Sequence, residues 1–127
     1  MKLFRIAIPA VKIDRSRDFY ESVLGFEADA TVPSRLYFHF DGVILALIDW
    51  GAQPNRRFTP MPDNIYFATD ELDAVHRRAA DAGARNISPI ETQTWGERSF
   101  YCLDPDGNPL CFVDETTLFL GYGAAWA

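Results

Sequence analysis

The residues of this chain best equipped for chemistry are scattered, and most sit in short alternating runs. His39, inside RLYFHF, is the candidate for acid-base work, because histidine is the side-chain type whose unperturbed pKa sits near neutrality. The other histidine, His76, lies in the charged run DAVHRRAAD, where a solvated side chain is expected. Tyr37, Tyr66, Trp95 and Phe100 suit stacking on an aromatic or conjugated ligand, with core packing as the competing use for at least half of them. Asp104 and Asp106 look like a catalytic carboxylate pair. They flank proline and glycine in DPDG, however, where aspartates bond their own backbone, so a structural role is expected. Cys102 and Cys111 are too few for a disulfide scaffold. Reflected about the Asp106-Gly107 turn they fall opposite each other on neighbouring strands, as two buried apolar thiols in a reducing, cytoplasmic setting.

The elements that must position these residues come in two similar series. Lys2 to Pro9 reads as a strand, followed by a helix from Ser16, its N-cap, to Leu24 with a stop at Gly25. Short strands are expected near Glu27 to Val32, Arg35 to Phe40 and Val43 to Asp49. Gly51 to Asp63, with three prolines and the Arg56-Arg57 charge pair, reads as a linker. A strand from Asn64 to Ala68 then leads to a helix, Leu72 to Ala82, closed by Gly83. Strands near Asn86 to Ile90, Ser99 to Leu103 and Pro109 to Asp114 complete the second series. The apolar, glycine-rich end from Leu118 to Ala127 has no assigned element.

An internal duplication is the expectation. DGVILALID and DGNPLCFVD begin 65 residues apart, and the openings at Arg5 and Asn64 lie 59 apart, which places a six-residue insertion around Ser88 to Glu97. At 127 residues and 48% hydrophobic, the chain can build one core, whereas each half alone would be marginal. The halves, 1–56 and 63–127, are therefore expected to share a core in a single α+β domain. A net charge of −6 argues against nucleic acid and anionic membrane as partners. No window is long and apolar enough for a membrane span, which leaves small molecules or proteins.

Strand parity assigns faces. Leu36, Phe38 and Phe40 should face the helix with Leu45 and Leu47, leaving Tyr37, His39, Ile44, Ala46 and Ile48 on the other side with Arg5 and Ala7. In the second half the same reflection groups Arg98, Phe100, Cys102, Pro109 and Cys111, with Asn64 and Tyr66 beside them. A mostly apolar wall with a few placed polar groups is what lines a ligand pocket; an ordinary solvated sheet face is the alternative.

Three segments, RIAIPAVKIDRSRDFYESVLGFE, NIYFATDELDAVHRRAADAGA and WGERSFYCLDPDGNPLCFVDE, resemble the vicinal oxygen chelate superfamily of glyoxalases, bleomycin-resistance proteins and extradiol dioxygenases. The similarity spans nearly the whole chain. It implies two βαβββ modules whose sheets curl around a shared cavity in a homodimer, a contact in which Trp50 and Trp126 are candidates. In metal-dependent members, four recurring positions hold a divalent ion. Here the resemblance places Arg5, Ala46, Asn64 and Cys111 there, of which only Cys111 is a competent ligand for a zinc-like ion. An alternative zinc set draws on His39, Cys111 and Cys102.

Without an ion, Arg5 on the cavity floor, aided by Arg98, would bind a carboxylate, phosphate or enolate oxygen. A salt bridge for Arg5 and a solvated strand-edge charge for Arg98 are the competing roles. The expected function is metal-free binding of a small anionic or aromatic molecule, with no cofactor. The alternative is a lyase, isomerase or dioxygenase of the same superfamily, metal-dependent through an unusual set or metal-free with Arg5 as electrophile and His39 as base.

Overall fold

The structure, a computed structural model, describes residues 1–52 and 57–121. Part of the expected linker (53–56, including Arg56) and the chain end with Trp126 lie outside the described residues. The first sheet has three strands in the order β1-β3-β2, with β1 Arg5–Ala10, β2 Arg35–Phe40 and β3 Val43–Asp49. The second has four in the order β4-β7-β6-β5: β4 Ile65–Thr69, β5 Glu91–Thr92, β6 Arg98–Leu103 and β7 Pro109–Asp114. In each sheet the opening strand runs parallel to the closing one, and the preceding strand returns antiparallel. Two helices, α1 Ile13–Leu24 and α2 Leu72–Asp81, cross over within their halves.

Helix α1 buries Ser16, Phe19, Tyr20 and Val23, the three-and-four spacing of a helix with one core face. It stops at Gly25, whose φ of 87° is cheap only for glycine and whose N–H donates to the Glu21 carbonyl. The start differs from expectation. The helix begins at Ile13 rather than Ser16, and no side chain of its own caps it. Asp106 of the second half puts its charge at that end instead: its carboxylate accepts from the Val11 N–H, just before the helix, at 3.1 Å and from the Ser16 hydroxyl at 3.2 Å, and pairs with Arg15. A charge contributed from 90 residues away leaves no local signature.

The apolar faces of both sheets and both helices close on one core. Phe19, Tyr20, Phe38, Leu47, Val75, Phe100, Leu110 and Phe112 all belong to it. Aromatic contacts run across the junction, from Phe38 to Phe26, Phe40, Phe67 and Phe112. Each large apolar side chain buried this way contributes roughly 1.5–3 kcal/mol, and the cluster draws such residues from both halves.

Two expected strands are not regular. Glu27 to Val32 forms only the single bridge between Asp29 and Tyr37, because the Asp29 carboxylate turns back to accept from Thr31 and bends the chain away. Asn86 to Ile90 contributes no strand: Asn86 has a φ of 50° and Pro89 lacks a donor. The Ser88 N–H and hydroxyl bond the Tyr101 backbone instead, and the ladder resumes at β5.

Candidate functional site

The outward faces of the sheets, away from the helices, carry the polar groups. On the first sheet the register pairs Tyr37 with Ala46, His39 with Ile44, and Arg5 with Ile44, which places all five on one face as parity predicts. Ala46 is buried between its neighbours and Tyr37 is partly covered. The Arg5 guanidinium lies over the Phe4 and Tyr37 rings, 5.1 Å and 6.0 Å from their centroids. No carboxylate pairs with Arg5 among the described residues. His39 is exposed, its Nε2 3.7 Å from Asp29 Oδ2. The Thr31 hydroxyl and N–H, donating to Asp29, hold that carboxyl below the usual range.

On the second sheet the register departs from the reflection. Cys111 pairs with Tyr101, and Cys102 with Leu110, so the two cysteines are not opposite each other and face opposite sides. The cause is turn length. Asp41 and Gly42 join β2 to β3 with two residues, whereas Asp104 to Asn108 join β6 to β7 with five. That odd count slips β6 by one residue and inverts its faces. The five-residue loop is held by Asp104, whose carboxylate accepts from the N–H groups of Asp106 and Asn108.

The slip moves three expected pocket residues. Phe100 is fully buried in the core, stacked on Phe112 and met edge-on by His76. Cys102 lies in the same core. Arg98 turns to α2, paired with Asp73 at 3.2 Å and with Asp114 at 3.7 Å. His76 is not solvated either, since its Nε2 bonds the Ser88 carbonyl at 2.9 Å. In their place Ser99 and Tyr101 share the outward face with Cys111, Val113 and Tyr66. Asn64 precedes β4, and its N–H donates to Asp63.

A cavity of about 390 Å³ sits on this face. Tyr66, Ala68 and Val113 form its floor, and Trp95, Glu97 and Leu118–Leu120 its rim. Two local devices raise that rim. Gly96, with a φ of 98°, closes a tight turn in which the Gln93 N–H donates to the Glu97 carbonyl, and this lifts Trp95. After β7, Asp114 accepts from the N–H and hydroxyl of Thr116, turning the chain back over the sheet. Glu97 joins the two: it accepts from Trp95 Nε1 at 2.8 Å and from the Phe119 N–H at 2.9 Å. Sequence patterning passed over Glu97 because it precedes the strand whose alternation was read. The only hint is its place two residues after an exposed tryptophan and beside a glycine.

The donor chemistry for a metal is poor. Of the four positions, arginine has no lone pair to give, alanine no ligand atom, and asparagine a weak one. Burial pushes the Cys111 thiol up to about 11, while hydrogen bonds from Tyr101 and Ser99 pull it back only in part. Cys102, also free and buried, is pushed up to about 12 by burial and cannot join Cys111 from the other face. Among the described residues, no three of histidine, cysteine, aspartate and glutamate come together.

The model of the Glyoxalase/Bleomycin resistance protein/Dioxygenase superfamily matches residues 2–112. This chain belongs to that superfamily. Its α+β architecture of two paired modules is also that of solved members. A glyoxalase/bleomycin resistance protein from Albidiferax ferrireducens T118 is 20% identical, with 88% of this chain and 98% of that one covered at a TM-score of 0.74. A superfamily member from Sphaerobacter thermophilus is 23% identical, with 91% and 98% covered at 0.71. A glyoxalase-related enzyme from Fulvimarina pelagi is 18% identical, with 90% and 88% covered at 0.75. At these identities the likeness is one of fold. No curated protein matches the sequence. Among the described residues of this superfamily member, no helix is long and apolar enough to cross a membrane.

Proposed function

We propose that this superfamily member binds a small organic molecule and needs no metal to do so. The observation that carries the reading is the open cavity on the second sheet: about 390 Å³, lined by Tyr66, Trp95 and Phe119. Sites for small ligands have this character, apolar walls with few polar groups. The ligand's flat apolar body stacks on these rings. Separately from this cavity, Arg5 on the first sheet, its guanidinium held over Tyr37 with no paired carboxylate among the described residues, is the anchor for a ligand that carries a carboxylate or phosphate. On the same reading the chain pairs as a cytoplasmic homodimer, the exposed Phe119 and Leu120 lying near the contact.

Metal content tests the first half of the reading. Protein purified without an affinity tag, exposed to zinc, nickel, manganese and iron and then freed of unbound ion, should retain well under one equivalent; near-stoichiometric metal would overturn the reading. Binding tests the second. Arg5→Ala should weaken an aromatic carboxylate far more than its neutral amide, and equal losses would remove Arg5 from the site.

A second reading has its own support in the His39–Asp29 pair, where a fixed carboxylate 3.7 Å from the ring suits an acid-base group. On that reading the protein is a metal-free lyase or isomerase with Arg5 as electrophile, and His39→Ala abolishes turnover while leaving ligand affinity unchanged.

A further inference from the structure

The cavity on the second sheet contains one charge with no counter-charge. Glu97 is 8% exposed and lines the cavity. Its two donors, the Trp95 indole and the Phe119 amide, are neutral. No arginine, lysine or histidine pairs with it among the described residues. A carboxylate taken out of water needs compensation, and two neutral hydrogen bonds supply only part of it. Each carboxylate oxygen keeps a lone pair unused by these bonds.

The surroundings favour the same sign of ligand. Tyr66, Trp95 and Phe119 line the cavity, and the electron-rich faces of such rings attract organic cations. The chain carries a net charge of −6, so its far field also draws cations in. Arg5 and Arg98 do not oppose this, because Arg5 lies on the first sheet and Arg98 is neutralised by Asp73 and Asp114.

We infer that the second-sheet cavity recognises an organic cation, a protonated or quaternary amine on an aromatic body, with Glu97 as counter-ion and the tyrosine and tryptophan rings as walls. This rests on the small-molecule reading above and names the ligand class. Glu97 also ties the Trp95 turn to the Phe119 segment, and a purely structural tether would make the same two bonds. The two roles separate in the ratio of affinities: Glu97→Gln loses the counter-ion and, with one acceptor oxygen in place of two, keeps only one of the two tether bonds, a loss that falls on charged and uncharged ligands alike.

The test uses the full chain and three probes of one size: benzyltrimethylammonium, its uncharged carbon isostere neopentylbenzene, and phenylacetate. Affinities are taken from the shift of the Trp95 indole N–H resonance on titration. The cation should bind at least about ten-fold more tightly than the isostere, and phenylacetate more weakly than either. In Glu97→Gln the preference for the cation over the isostere should fall to about two-fold or less, whatever the weakened tether does to both affinities together. If cation and isostere bind the wild type equally, the cavity is a ligand site but the inference is wrong. Should none of the three move the indole resonance, the small-molecule reading of this cavity falls too. If Glu97→Gln does not fold, the wild-type ratio still decides.

Discussion

Removing the Asp104 carboxylate should be among the most damaging single changes to this protein. The residue is 1% exposed and accepts from Tyr20 Oη at 2.7 Å, Asn108 Nδ2 at 2.8 Å, and the N–H groups of Asp106 and Asn108 at 2.8 and 2.9 Å. In Asp104→Ala the Tyr20 hydroxyl, on a residue with no exposure, is left without that acceptor. An orphaned buried group costs about 1–3 kcal/mol, and each bond to a charged acceptor is worth about 1.5–3 kcal/mol. Asn108 keeps the Pro9 carbonyl at 3.1 Å, which limits the loss. Allowing for non-additivity, we expect about 4 kcal/mol in urea denaturation followed by tryptophan fluorescence. Tyr20→Phe removes one bond and leaves Asp104 its other donors, so about 1–2 kcal/mol is expected. Combined with Asp104→Ala, Tyr20→Phe should become neutral or stabilising, because it deletes the orphan. A cost below about 1 kcal/mol for Asp104→Ala, or the same cost for Tyr20→Phe in both backgrounds, would refute the reasoning.

Burial pushes the thiols of Cys111 and Cys102 up to about 11 and about 12, so neither should react with a thiol reagent at pH 8 faster than the protein unfolds. Rapid labelling of one equivalent in the folded protein would contradict that burial. Asp29 and Asp114 are held below the ordinary carboxylate range, chiefly by Thr31 and Thr116 respectively. A lowered folded value means that their stabilisation is complete above the unfolded value of about 4 and is lost as pH falls through the folded one. The urea midpoint should therefore drop on that limb, and Thr31→Val should move the Asp29 carboxyl resonance towards ordinary titration; an unmoved titration would dismiss the threonine bond. Gly51→Ala should destabilise by about 1–3 kcal/mol, since the new Cβ would lie 2.4 Å from the Val11 carbonyl oxygen. An unchanged melting temperature would show that the neighbouring backbone gives way.

Patterning reached the fold because its signals are local. Both helices follow from apolar spacing, and β2 and β3 pair in the expected register because a two-residue Asp-Gly turn fixes it. The faces were legible in full on that side, where Arg5, Tyr37, His39 and Ala46 share the face assigned to them, and in part on the other, where Tyr66 and Cys111 share a face and Tyr66 and Trp95 line the cavity. On the other side, alternation alone cannot count loop residues. The side-chain bonds of Asp104 stretch the second turn to five, and Phe100 and Arg98 change face. Glu97 escaped altogether, because its importance comes from Phe119, 22 residues on, folding back to it. The N-cap failed for the same reason in reverse, as Asp106 replaces anything Ser16 or its neighbours would do locally.

The loop that meets the start of α1 has a consequence for biosynthesis. Its bonds to the first half span 84 to 99 residues, from Tyr20–Asp104 to Pro9–Asn108. At ribosomal rates of about 5–20 residues per second, the first helix waits roughly 5–20 s for these partners to be made. During that interval the apolar side chains of α1 and the first sheet lack the half of their core that α2, β6 and β7 supply. Until β6 and β7 are made, the order of synthesis leaves that apolar surface without the partners that cover it in the folded chain.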